Sequence, residues 1–235
     1  MKKCAVAALL GLFVLGGLLA GCGTSTVTTS TAGAGNGTST SVTSTSLSSV
    51  TSTPQSSSST TTLSPSTATI IPGSKNVSYT NNKYGFSLER PKSSAVVTSG
   101  FSGSLSLTST SVVGIVLPKS LSKGTNLSGA AVYIGASSSS SATKNWNKPL
   151  QGEISAGPVV LNGVSFAVFT RTDQAAGNIY DARFYRTLHK GVCIEVVELL
   201  HSTNIANYTA GSVKQFDKAI FQGYLASIVS SLVFK

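Results

Sequence analysis

Downstream of residue 75 the sequence offers little for catalysis: two histidines, one cysteine and seven carboxylates. A nucleophilic site needs a serine or cysteine beside a base that a third group orients. No Gly-x-Ser-x-Gly stretch occurs, Cys193 is the only thiol in that region, and His189 and His201 are the only bases of the usual kind. Their spacing is informative because apolar runs at Ile179–His189 and Val192–His201 flank Lys190-Gly191, which reads as the two-residue loop of a hairpin. In that register Cys193 faces Leu188, and His189 lies at the hairpin end on the other face. Cys193 therefore reads as a small buried hydrophobe. His201 falls beside Tyr180 and reads as a strand-end residue bonded to a neighbouring loop.

The same register sets Arg186 opposite Glu195 and Arg183 opposite Glu198, two cross-strand pairs worth about 0.2–1 kcal/mol each. Together with Tyr180, Phe184 and Tyr185 these arginines could form a surface for an anionic sugar or a peptide carboxylate. Pairing with the glutamates, with the aromatics filling the core, accounts for both arginines at once and is the preferred reading. A zinc site needs three or four convergent ligands at close spacing, which two histidines and one cysteine do not supply. Glu153, Asp173 and Asp181 could gather round calcium, but no D-x-D-x-D-G run accompanies them, so they read as solvated carboxylates. Trp146 reads as an exposed contact or as a cap on the core. The sequence thus predicts no catalytic, cofactor-binding or metal-binding residue, and no cofactor.

The elements that carry these residues follow from periodicity. Tyr84, Phe86 and Leu88 alternate after the polar turn Asn81-Asn82-Lys83 and stop at Pro91, which predicts a strand. Further strands are expected at Val112–Leu117 and Ala130–Ile134, with a short helix over Ala142–Asn147. Asn162-Gly163 between apolar runs predicts a type I′ hairpin with Leu161 opposite Val164, and with Val159, Leu161, Val164, Phe166 and Val168 on one face. Near the C-terminus Ser212 and Gln215 form a capping-box pattern, and Phe216, Ile220, Tyr224, Ile228 and Leu232 recur every four residues. This predicts a long terminal helix and an α+β class, a largely antiparallel sheet packed by helices.

The charge distribution gives the address. The chain has 235 residues, with 17 basic, 7 acidic and a formal charge of +10, yet none of Asp, Glu, Lys, Arg or His occurs between Gly23 and Ser74. Lys2 and Lys3 precede an apolar, glycine-containing segment too short to span a membrane comfortably, the pattern of a secretory leader. Its end, Leu19-Ala20-Gly21-Cys22, resembles the lipobox of bacterial lipoproteins. The resemblance implies cleavage before Cys22, a diacylglycerol on its sulfur and acylation of the new amino terminus, palmitate or a similar chain. Two or three acyl chains hold a protein stably at a membrane. Gly23 would send it to the outer membrane of a two-membrane cell; in a single-membrane cell the domain would stand outside.

Three segments result: a signal peptide over 1–21, lipidated Cys22 with a disordered Ser/Thr-rich linker over 22–75, and a globular domain over 76–235. The linker composition cannot bury enough apolar surface to fold. As a coil of about 52 residues it would span roughly 40 Å. Loss of the leader removes Lys2 and Lys3, leaving 15 basic against 7 acidic residues, a formal charge of +8. Such a domain is drawn to anionic headgroups or anionic cell-wall polymers. No nucleic-acid motif accompanies the scattered basic residues, so no specific nucleic-acid partner is expected. Cys4 and Cys22 are spoken for, leaving Cys193 without a disulfide partner. Three Asn-x-Ser/Thr matches, at Asn76, Asn126 and Asn207, are accidental if the anchor is bacterial.

Tyr79-Thr80-Asn81-Asn82-Lys83-Tyr84-Gly85-Phe86-Ser87-Leu88-Glu89-Arg90-Pro91 resembles the opening strand of PsbP-like and Mog1-like domains. That resemblance implies an αβα sandwich with no shared catalytic centre, used for docking and assembly. It transfers no functional residue, and Arg90 stands where an aromatic is expected. The functional expectation is an anchored envelope lipoprotein, on the membrane through Cys22, whose domain binds an envelope protein or polymer and is not an enzyme. The alternatives are a small hydrolase-like envelope enzyme, with Asp173, Asp181 or a histidine of shifted pKa in a pocket, and an anchored spacer without ligand.

Overall fold

The computed structural model describes residues 61–62, 71 and 74–235. The leader, Cys22 and nearly all of the Ser/Thr tract lie outside these residues. Along the described chain run β1 (Thr61–Thr62), β2 (Asn76–Asn81), β3 (Phe86–Pro91), β4 (Ala95–Val97), β5 (Thr110–Val116) and β6 (Leu127–Ser137). Helix α1 (Ser140–Asn145), β7 (Ile154–Leu161), β8 (Val164–Ala175), β9 (Asn178–His189), β10 (Val192–Thr203), α2 (Lys218–Ser230) and β11 (Val233–Phe234) complete it.

Three tight turns organise the centre. Asn162-Gly163, Ala176-Gly177 and Lys190-Gly191 all have positive φ at both positions, the requirement of a type I′ loop whose twist matches that of the flanking strands. They fold β7, β8, β9 and β10 into an antiparallel meander. The Asn162-Gly163 register is as expected, with Leu161 opposite Val164 and Val159 opposite Phe166. So is the next: Cys193 faces Leu188, Glu195 faces Arg186 and Glu198 faces Arg183.

The meander belongs to an eight-stranded sheet in the order β1-β7-β8-β9-β10-β6-β5-β4, and β11-β3-β2 form a second sheet. Helix α2 and the small sheet cover one face. There Phe221, Leu225, Ile228 and Val229 of the helix and Phe86 and Leu88 of β3 pack with Ile115, Val132, Ile134, Phe166, Val168, Ile194 and Val196. On the opposite face the β4–β5 loop lays Phe101 and Leu105 over Phe169, Phe184 and Val197. The Asn162 side chain ties turn to helix end, donating to the carbonyls of Ser230 and Leu232 at 2.8 Å.

This architecture overturns the expected α+β, helix-packed αβα sandwich. The described residues form two largely antiparallel sheets with two helices, of six and 13 residues. The strands outrun their apolar cores, reaching 12 residues each in β8, β9 and β10, and a loop with the short α1 stands where a second helical layer was expected. The long terminal helix is shorter than predicted for a specific reason. Residues 214–216 are held extended against 124–126, through Lys214 N to Gly124 O at 2.9 Å, Asn126 N to Lys214 O at 3.0 Å and Phe216 N to Asn126 Oδ1 at 2.9 Å. The helix therefore starts after Asp217, which caps Ile220 N, and Ser212 closes a turn onto Thr209 O instead.

A strict four-residue repeat also drifts about 40° per step around a helix of 3.6 residues per turn. Ile220 consequently stands 47% exposed, and the buried stripe is Phe221, Tyr224, Leu225, Ile228 and Val229, the i, i+3, i+4, i+7 pattern of a core-facing helix.

Candidate functional site

The two arginine–glutamate pairs of the β9–β10 hairpin sit three residues apart on each strand and so point to opposite faces of the sheet. Their surroundings differ completely. On the loop-covered face Arg186 and Glu195 are fully buried. Arg186 Nε donates to Glu195 Oε1 at 2.9 Å, and Nη1 donates to Glu153 Oε2 at 2.9 Å and to the Lys148 carbonyl at 3.2 Å. Its Nη2 donates to Ser106 Oγ at 2.6 Å and to Glu153 Oε1. The guanidinium also lies 4.8 Å from the Phe169 ring and 5.4 Å from that of Phe184, a cation–π environment.

One cation against two carboxylates leaves a negative charge to offset, and backbone amides do it. Glu195 Oε2 accepts from the amides of Ser106 at 3.2 Å, Leu107 at 3.1 Å and Thr108 at 3.1 Å, and from Thr108 Oγ1 at 3.0 Å. Glu153 also takes the Leu150 amide at 2.8 Å. Burial works to raise the Glu153 carboxyl, but the hydrogen bonds from Arg186 and Leu150 N and the Arg186 charge hold it below its ordinary value. For Arg186 burial works downward and the two glutamates overcome it, raising its pKa.

The close approach of residues 105–108 to the sheet depends on Gly135, which lies opposite Glu195 on β6. A Cβ there would collide with Thr108 Oγ1 and come within 2.6 Å of Leu105 Cδ1. With its charges mutually satisfied and shut from solvent, this centre fastens the β4–β5 loop and the α1–β7 segment to the sheet.

The helix-covered face carries an open pocket. Between β8, β9, β10 and the first turns of α2 lies a cavity of ≈ 270 Å³, lined among others by Thr170, Asp181, Arg183, Glu198, Lys218 and Gln222. Glu198 is 5% exposed, and its Oε1 accepts from the Tyr185 hydroxyl at 3.0 Å. Although Arg183 stands opposite in register, no ion pair joins it to Glu198 among the described residues; the Arg183 side chain is exposed. Burial pushes the Glu198 carboxyl up to about 7, against the downward pull of the Tyr185 hydrogen bond and the Arg183 charge. Burial, then the Glu198 charge, also raises Tyr185. At the rim Lys218 Nζ pairs with Asp181 Oδ2 at 2.9 Å, and Thr172 Oγ1 donates to Asp181 Oδ1 at 2.7 Å.

The remaining candidate residues are dispersed. Cys193 is fully buried, and burial first, then the charge of Glu195, pushes its thiol up to about 11. His189 stacks on Phe234 at 4.4 Å, and burial and Lys190 lower its pKa. His201 stacks on Tyr180 at 4.5 Å with Nε2 3.0 Å from Asn178 Oδ1, the strand-end position expected for it. Glu153, read as a solvated carboxylate, is instead buried against Arg186. Asp173 pairs with Arg171 at 2.7 Å, away from Glu153, and no group of three His, Cys, Asp or Glu gathers as metal ligands would among the described residues. Trp146 ends α1 half-buried beside Phe169. Asn126 is 2% exposed, its amide donating to Thr203 O at 2.7 Å. The sequence reading missed Glu198 as the carboxyl with the shifted pKa, and Lys218 as a pocket residue. No helix among the described residues is long and apolar enough to cross a membrane.

No family model and no curated protein sequence matches the chain, so the PsbP-like resemblance has no family match behind it. Among solved structures, a protein of Bacteroides thetaiotaomicron is similar at 12% identity and a TM-score of 0.41, over 67% of this chain and 48% of its own. LpqN of Mycobacterium tuberculosis, described as involved in cell envelope biogenesis, is similar at 10% identity and a TM-score of 0.37, over 68% of this chain and 91% of its own. The chain thus spans about half of the first and most of the second. At these scores neither likeness bears on function.

Proposed function

We propose that this protein is an envelope lipoprotein, held at a membrane through a lipid on Cys22, whose β domain binds a ligand or partner without transforming it. The anchor rests on the leader, the lipobox-like Leu19-Ala20-Gly21-Cys22 and the uncharged tract that follows. The binding role rests on one observation above others. Charged groups gather round the pocket under α2, and the hydroxyls that meet its carboxyls, Thr172 on Asp181 and Tyr185 on Glu198, have no base of the usual kind beside them among the lining residues.

In-cell crosslinking of the C-terminally tagged full chain, with Cys22→Ala as control, tests both parts. The reading expects the wild type in the membrane fraction with a reproducible protein or wall-polymer adduct, and the Cys22→Ala chain released from the membrane with that adduct lost. Cys22→Ala remaining as firmly bound as wild type overturns the anchor, and a wild type without adducts overturns the binding role.

A second reading is favoured by Glu198, since a carboxyl near 7 can both give and take a proton at neutral pH. On that reading the pocket is catalytic and Glu198→Gln abolishes turnover of whatever small molecule occupies it.

A further inference from the structure

Glu198 is nine-tenths buried, and only one of its oxygens is engaged within the chain: Oε1 takes the Tyr185 hydroxyl, while Oε2 accepts no hydrogen bond among the described residues. It is not sealed away from a ligand, because Glu198 lines the ≈ 270 Å³ cavity beneath α2. Directly across the ladder, where cross-strand Cβ atoms lie about 5 Å apart, the exposed Arg183 side chain lines the same cavity and makes no ion pair within the described chain. A carboxyl oxygen open to the cavity and a guanidinium that forms no ion pair, and whose single side-chain partner is the Tyr185 hydroxyl, thus sit side by side at one opening.

The volume lies just below the roughly 300–1,000 Å³ of pockets for drug-sized molecules, which restricts the occupant to a small one. Arg183 presents the fork of donors that matches a carboxylate. In its ionised form, which a neighbouring cation favours, Glu198 Oε2 can accept from a donor one or two bonds further along the same molecule. Lys218 at the rim is already engaged with Asp181 at 2.9 Å, which leaves Arg183 to meet the carboxylate.

We propose that the pocket between β8, β9, β10 and α2 binds a small acid carrying a donor next to its carboxylate, an α-amino or α-hydroxy acid, with the carboxylate on Arg183 and the donor on Glu198. The assignment rests on the reading of the domain as a binding module and deepens it. The free acid and the end group of a peptide or wall polymer share this chemistry.

The test is an amide NMR titration of the full chain in detergent micelles with alanine, lactate, N-acetyl-alanine, alanyl-alanine, acetate and methylammonium. Alanine or lactate is expected to shift Thr170, Asp181, Arg183 and Glu198 saturably, with acetate and methylammonium at least tenfold weaker. Arg183→Ala and Glu198→Gln should each weaken that binding about tenfold or more while the rest of the spectrum stays in place. Alanine ahead of lactate assigns an amino acid, and the reverse a hydroxy acid. Alanyl-alanine and N-acetyl-alanine both binding about as well as alanine assigns a C-terminal end group; both binding at least tenfold weaker assigns the free acid; alanyl-alanine binding well with N-acetyl-alanine weak would overturn the placing of the donor next to the carboxylate.

Acetate binding as tightly as alanine and lactate, shifts confined to other residues, or shifts indifferent to both substitutions would each overturn the proposal. Conversion of a probe to a new species would overturn the non-catalytic reading while leaving the pocket assigned, and release of wild type from the membrane would overturn the anchor alone.

Discussion

One hairpin places two arginine–glutamate pairs three residues apart, and they come to opposite ends. Arg186–Glu195 is sealed under the β4–β5 loop, receives a second carboxylate from Glu153 and is saturated with hydrogen bonds. Arg183–Glu198 faces the helix side, where α2 leaves a cavity, and the pair does not close. The local sequence signal is the same in both. What differs is the cover: a loop that brings amides to a carboxylate holds its charge, whereas the flank of α2, with Lys218, Gln222 and Leu225, brings no hydrogen-bond donor to Glu198 among the described residues and burial raises its pKa.

The two pairs should differ most in what removal of the arginine costs. Arg186→Met would leave two buried carboxylates without their cation, and urea melts should show a loss of about 3–5 kcal/mol or no folded protein. Arg183→Met should cost less than about 1 kcal/mol. Equal losses would erase the distinction between the two pairs.

Glu198→Gln sharpens the other side through its pH dependence. The folded Glu198 keeps its proton to about pH 7, while an unfolded glutamate releases it near 4.5. Between these values the folded state binds more protons, so this group's contribution to stability falls as pH rises through that window. Glu198→Gln should therefore match wild type below pH 4.5 and gain about 3 kcal/mol above pH 7, the difference between 4.5 and about 7 at ~1.4 kcal/mol per pH unit. Glu153 acts with the opposite sign and in another window. Its lowered pKa contributes stability above about pH 4.5, and that is lost on acidification.

Gly135→Ala probes the loop's approach to the sheet. The added methyl strikes Thr108 Oγ1 and Leu105 Cδ1 and pushes the loop that carries the Ser106–Thr108 donors away from Glu195, and thermal and urea unfolding should register about 1–3 kcal/mol of destabilisation. The smallest effect belongs to Lys218→Ala. Its ion pair with Asp181 is 48% exposed on the lysine side, so melts should change by about 0.2–1 kcal/mol, and less at high salt.

The legible parts of this molecule are those that short-range chemistry dictates. Asn162-Gly163 announced its turn because asparagine and glycine tolerate positive φ, and the charge pairing across Lys190-Gly191 fixed the register of β9 on β10. Ala176-Gly177 makes the same turn with Ala176 at φ 49°, a conformation alanine does not advertise, and it went unread. The helix start was misplaced because residues 214–216 are captured by 124–126, a contact some 90 residues distant in sequence. The buried centre was half visible. Arg186 and Glu195 could be paired by register, but Glu153 and the Ser106–Thr108 amides arrive from separate loops, and no periodicity marks them. Glu198 escaped notice for the same reason, since its pKa is set by what α2 and Tyr185 leave around it.

The most direct test follows the side-chain carboxyl carbons of the 13C-glutamate-labelled full chain by NMR from pH 3 to 9. Glu198 is expected to titrate near pH 7, and Glu153 below the ordinary value of 4.5. Both carboxyls titrating together near 4.5 would contradict that.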